Sequence, residues 1–61
     1  MSKERILIVE DEMIIALSIQ KTLERLGYSV AGIAVTGEDA IGMAKEFCPD
    51  LILMDIILSG E

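Results

Sequence analysis

Two short apolar runs, each ending abruptly in acid, constrain this chain more than any other feature. Ile6-Leu7-Ile8-Val9 runs into Glu10-Asp11, and Leu51-Ile52-Leu53-Met54 runs into Asp55. An unbroken run of large aliphatic residues reads as a strand covered on both faces. If the two strands are parallel neighbours, their C-terminal ends share one edge of a sheet, and the three carboxylates converge there. A cluster of oxygen donors at one spot invites a hard divalent cation, with a phosphoryl group as the natural substrate.

The stretches between the runs supply the connections. Residues 12–26 carry a helical period, with Ala16, Ile19, Leu23 and Leu26 on one face and Gln20, Lys21, Glu24 and Arg25 on the other. Gly27 is a natural stop for that helix. Residues 29–35 read as a second strand, and Gly32 within it argues for an edge position. Thr36, with Asp39 three residues on, has the look of a capping box opening a second helix. Ala40, Met43, Ala44 and Phe47 form its apolar face, and Pro49 ends it. Residues 51–54 make the third strand. Ile56 to Glu61 read as a loop, with Ser59-Gly60 as turn residues.

The order β-α-β-α-β at these lengths implies a parallel sheet. The second strand has the fewest large apolar residues and belongs outside, which gives strand order 2-1-3. Right-handed crossovers then put the two helices on opposite faces. The winding reverses between strands 1 and 3, and ligands of open α/β sheets bind beyond the strand C-termini at such a switch point. Glu10, Asp11 and Asp55 fall there.

Composition narrows the functional classes. The 61 residues carry 11 acidic against 5 basic side chains, a net charge of −6. That balance disfavours nucleic acid and anionic membrane surfaces. The chain has no His and one Cys, so neither a Cys/His metal cluster nor an intrachain disulfide is expected. Cys48 reads as a packing residue at a helix end. No signal-peptide core or membrane-length apolar run is visible, which points to the cytoplasm. No glycine-rich phosphate loop follows strand 1. Hydrophobic residues make up 52 % of the chain, more than so short a chain easily hides, which points to a partner or to further sequence.

Each acid has a candidate role and an ordinary alternative. Asp11 and Asp55 have the reach of direct metal ligands, and Glu10, with its longer arm, could act through water. Asp11 could equally cap the first helix, bonding near Ile14, and Glu10 could be a solvated charge at a strand end. Asp55 interrupts an apolar stretch that continues as Ile56-Ile57-Leu58, and a charge so placed needs a partner. An aspartate carboxylate can also act as a nucleophile and carry an acyl phosphate, and Asp55 is the better placed for this.

ILIVEDE at 6–12, LERLGYSV at 23–30, GEDAIGMA at 37–44 and PDLILMDIILSGE at 49–61 resemble the receiver domain of two-component response regulators. The resemblance covers essentially the whole chain. It implies a flavodoxin-like α/β fold, here as a partial three-layer βαβαβ unit. It also implies Mg²⁺ binding and phosphorylation of Asp55 by a sensor histidine kinase, the role of a signalling acceptor rather than an enzyme. Asp11 would be a direct metal ligand, Glu10 its acidic neighbour, and the backbone carbonyl of Ile57 a further ligand. Receivers are about twice as long, with strand order 2-1-3-4-5, a Ser or Thr ending strand 4 and a Lys ending strand 5. Residues 1–61 are therefore expected to be the N-terminal half of a receiver. Phosphorylation of this half alone is expected to be slow, because positioning and charge neutralisation supply most of the catalysis.

Strand 3 then becomes a sheet edge, and Met13, Ile14, Ile15 and Leu17 add apolar residues beyond the core stripe of the first helix. Such edges template association. Self-association through strand 3 in the order 2-1-3-3′-1′-2′, or docking of a missing receiver half, is the expected consequence. The competing function is a non-catalytic interaction module that works by dimerising.

Overall fold

The structure, a computed structural model, describes residues 4–54. The chain runs β1 (Arg5–Val9), α1 (Met13–Arg25), β2 (Ser29–Ala34), α2 (Gly37–Phe47) and β3 (Leu51–Met54). All pairings are parallel, in the order β2-β1-β3. The element order, the parallel sheet and the 2-1-3 arrangement match the sequence reading. The loop and turn expected over residues 56–61 lie outside the described residues.

β1 is central, pairing with a strand on each side and, like β2, packed against by both helices. Ile6, Leu7 and Ile8 are almost fully buried. In a parallel pair, residues in register share a face, so Ile6 and Ile8 stand on one side of the sheet with Val30 and Ile33. Ala16, Ile19 and Leu23 of α1 pack there, together with Tyr28. Leu7 faces the opposite side, in register with Gly32. A Cβ at Gly32 would come within 3.3 Å of the side chains of Met43 and Phe47, so the missing side chain is what lets α2 close on β2. The register shifts between Ile6 and Leu7, from Val30 to Gly32, leaving Ala31 as an extra residue on β2. A glycine next to such an irregularity suits an edge strand.

The helix ends follow local chemistry. Gly27 takes φ +100°. The Gly27 N–H donates to Glu24 O at 3.1 Å and the Tyr28 N–H to Leu23 O at 3.0 Å, the pair of bonds that defines a Schellman ending. Thr36 Oγ1 accepts from the Asp39 N–H at 3.0 Å and opens α2, with Glu38 and Asp39 in the favourable first turn. α2 stops at Phe47, before Pro49, as expected.

Three expectations about burial are corrected. β3 is not a covered strand. All four of its residues are exposed, because both helices pack on β1 and β2 and neither reaches β3. Leu26 lies beyond the last helical residue of α1 and is 67 % exposed, so the buried stripe ends at Leu23. Cys48 is exposed rather than packed, and it adopts a left-handed conformation at φ +48° and ψ +60°. The apolar excess on α1 is as expected: Met13, Ile14, Ile15 and Leu17 are all exposed. Among the described residues, no helix is long and apolar enough to cross a membrane.

Candidate functional site at the C-terminal edge of the sheet

β1 delivers Glu10 and Asp11 to the C-terminal edge. The Glu10 N–H donates to Ala34 O at 2.9 Å, which carries the β1–β2 ladder one residue past the strand. This bond turns the Glu10 side chain inward, and it is only 3 % exposed. Its Oε2 accepts the Glu12 N–H at 3.1 Å. The reading of Glu10 as a solvated strand-end charge is therefore overturned: its carboxylate is buried and orders the turn from β1 into α1. A buried carboxylate is costly unless it is hydrogen-bonded, and the Glu12 N–H supplies such a bond here.

Asp11 sits in the bend between β1 and α1 and is exposed. It does not cap α1. The N-cap position belongs to Glu12, which makes no side-chain capping bond, while the Glu12 carbonyl accepts from the Ala16 N–H at 2.9 Å. The ordinary alternative for Asp11 is thereby removed, and Asp11 is exposed to solvent next in sequence to the buried Glu10.

β3 approaches the same edge. Leu51, Ile52, Leu53 and Met54 lie beside Ile6, Leu7, Ile8 and Val9 in unbroken register, so the two strands end level with one another. Asp55 and Ile57 lie outside the described residues. Among the described residues, no three Asp, Glu, Cys or His side chains group closely enough to hold a metal. The described pair of consecutive carboxylates, one buried and one open to solvent, is an oxygen-only donor set that fits a hard cation such as Mg²⁺.

The opposite, N-terminal edge holds an arrangement the sequence reading missed. The Arg5 N–H donates to Asp50 Oδ2 at 2.7 Å, and the Asp50 N–H donates back to Arg5 O at 2.8 Å. The Arg5 guanidinium donates through Nη1 to Phe47 O at 2.7 Å and to Cys48 O at 3.5 Å. One residue of β1 thus ties down both the end of α2 and the start of β3. The partners are 45 residues apart in sequence, beyond any local pattern. The one available signal was an acid placed directly before an apolar strand, opposite a base placed directly at the start of another.

A family model of the response regulator receiver domain matches residues 6–61. The chain is 36 % identical over 55 residues to the chemotaxis protein CheY of Thermotoga maritima, a match covering 90 % of this chain and 46 % of that protein. Among solved structures, the anti-anti-sigma factor PhyR from Bartonella quintana superposes with a TM-score of 0.88 at 40 % identity, covering 98 % of this chain and 24 % of PhyR. The signal receiver domain of a modulated diguanylate cyclase from Desulfovibrio desulfuricans superposes at 0.84 with 41 % identity, covering 97 % of this chain and 47 % of that one. The chain spans between 21 % and 47 % of the length of such relatives. The flavodoxin-like arrangement, the order β2-β1-β3 and the matched residues agree, and the chain belongs to the response regulator receiver domain family.

Proposed function

We propose that this chain is the N-terminal half of a receiver that accepts a phosphoryl group on Asp55 from a sensor histidine kinase, with Mg²⁺ held by Glu10, Asp11, Asp55 and the backbone carbonyl of Ile57. The observation that carries this reading is the buried, hydrogen-bonded Glu10 beside an open Asp11, at the level where β3 ends next to β1. A bound Mg²⁺ would supply charge neutralisation for the anionic phosphoryl group and the carboxylates around it. An Asp55 carboxylate oxygen forms the new P–O bond as the donor's P–N bond breaks, and the donor histidine leaves with its nitrogen lone pair. Glu10 holds the β1–α1 turn in place and so fixes the direction of Asp11. The chain works as an acceptor in signal transduction within the cytoplasm, without binding nucleic acid or membrane.

Acetyl phosphate with Mg²⁺ tests this reading. Intact mass should show one added phosphoryl group, which disappears in Asp55→Asn and when Mg²⁺ is chelated. An unmodified wild-type chain after prolonged incubation would reject it.

The exposed β3 edge favours a second reading, an interaction module that self-associates. A two-fold axis perpendicular to the sheet makes the β3 pair antiparallel and keeps each face continuous. Residues directly opposite must then share a face, so Ile52 meets Ile52 of the second copy, or Leu53 meets Leu53. Sedimentation at several concentrations tests this, and a stable monomer at micromolar concentration would rule it out.

A further inference from the structure

We propose that Asp50 and Arg5 are positioning residues that set the register of β3 against β1. β3 pairs with β1 alone among the described elements, and neither helix packs on it. Strand register is normally specified by burial, because a slip of one residue moves the apolar side chains to the solvent face. That discrimination is missing here. Leu51, Ile52, Leu53 and Met54 are all apolar and all exposed, so within the run a slip in either direction exchanges one exposed apolar residue for another. The backbone bonds of Leu51–Met54 can re-form one step away, although the slip that brings Pro49 opposite Arg5 loses the N–H that donates to Arg5 O. A register determinant must therefore lie outside the apolar run.

The Arg5–Asp50 pair has the required geometry. The two reciprocal bonds join the first residue of β1 to the residue immediately before β3. With Leu51 opposite Arg5 the bond to Asp50 Oδ2 is lost, because leucine offers no side-chain acceptor, and with Pro49 there both bonds are lost, because proline has neither a side-chain acceptor nor a backbone N–H. The Arg5 guanidinium holds the Phe47 carbonyl, which fixes where the chain leaves α2 and so how much chain is available before β3 starts. With the N-terminal end pinned, Met54 is placed beside Val9, where β1 ends. The functional consequence rests on the reading of Asp55 as phosphoacceptor, whereas the register itself does not.

The test removes the same bond from opposite ends. Asp50→Ala deletes the acceptor. Arg5→Pro deletes the donor at a strand's first residue, where proline is tolerated, and with it the guanidinium bonds to Phe47 O and Cys48 O. Asp50→Asn keeps a side-chain acceptor and serves as the conservative control. NMR contacts between β1 and β3 backbone protons read the register directly. Wild type and Asp50→Asn should show one register, Ile6 with Leu51 through Val9 with Met54, and Asp50→Ala and Arg5→Pro should show a second set of contacts. Phosphorylation by acetyl phosphate should fall about tenfold or more in the two disruptive variants and recover in Asp50→Asn, since small misplacements of a reacting group are costly. A single wild-type register in both disruptive variants would overturn the proposal. So would joint collapse of β1–β2 and β3 in both, which would make the pair a general fold element. If wild type itself takes no phosphoryl group, the function above fails, and the NMR contacts alone still decide the register.

Discussion

β1 and β3 are written in nearly the same alphabet, Ile-Leu-Ile-Val against Leu-Ile-Leu-Met, and they lie side by side in register. Leu7 is 0 % exposed, while its register partner Ile52 is 43 % exposed. The difference arises from the connections. α1 and α2 both carry the chain between strands of which β2 is one, so both helices settle over β2 and β1. Among the described residues, β3 receives a neighbour on one edge and no helix on either face. Hydrophobicity prescribes that a segment needs cover; topology decides whether it gets any.

The sharpest way to break this comparison is to truncate the two partners in parallel. Leu7→Ala removes a fully buried side chain, and is expected to cost about 2–5 kcal/mol. Ile52→Ala, beside it on the same face, is expected to cost about 1 kcal/mol or less. Urea unfolding followed by circular dichroism measures both. Equal losses would mean that β3 is covered in solution. A smaller effect tests the cover over β1. Gly32→Ala sets a Cβ 3.3 Å from Met43 and Phe47, and the resulting overpacking of α2 against β2 is expected to cost about 1–3 kcal/mol by the same measurement. A neutral outcome would mean that α2 moves freely on the sheet.

Much of this was legible in the residues, for identifiable reasons. Gly27 and Thr36 act through their own backbone or through neighbours three or four positions away, and such signals survive in one dimension, whereas the contacts of Gly32 with Met43 and Phe47 join distant positions. The alternation of periods gave element order, and handedness gave the sides of the sheet. The exposure of β3 was not legible, because an apolar run looks the same whether or not a helix lies over it. The burial of Glu10 was hidden for a related reason: charge argues for solvent, and only the bond from Glu10 to Ala34 reveals the inward turn. Of the three candidate acids, the structure describes Glu10 and Asp11 together at one edge, and Asp55 follows the last described residue of β3. The Arg5–Asp50 pair joins positions too far apart for any local pattern to connect.

The link between the covered and uncovered regions contains a strained residue. Cys48 holds φ +48° just after α2, where its Cβ crowds the following carbonyl at a cost of about 1–2 kcal/mol. Arg5 offsets part of this by donating to the Phe47 and Cys48 carbonyls. Cys48→Gly relieves the crowding but adds freedom to the unfolded chain. The net expectation is a gain of roughly 0.5–1 kcal/mol, read as a higher urea midpoint. A loss would mean that the Cys48 side chain, with its Sγ 3.7 Å from Lys45 O, contributes more than its exposure suggests.

The smallest expected change in stability separates the two strands most cleanly. A lysine at Ile52 meets solvent on a face no helix covers, so Ile52→Lys should shift stability by no more than about 0.5 kcal/mol. The same change at Leu7 would bury an unpaired charge between β1 and α2 and should abolish folding. Lysine is also a common natural guard of an open sheet edge. Any concentration-dependent association through β3 should therefore weaken in Ile52→Lys while the urea midpoint of the dilute chain stays put. A lysine that lowered the midpoint without changing association would place an apolar neighbour over Ile52 within the same chain. β3 would then be a covered strand after all, differing from β1 in degree rather than in kind.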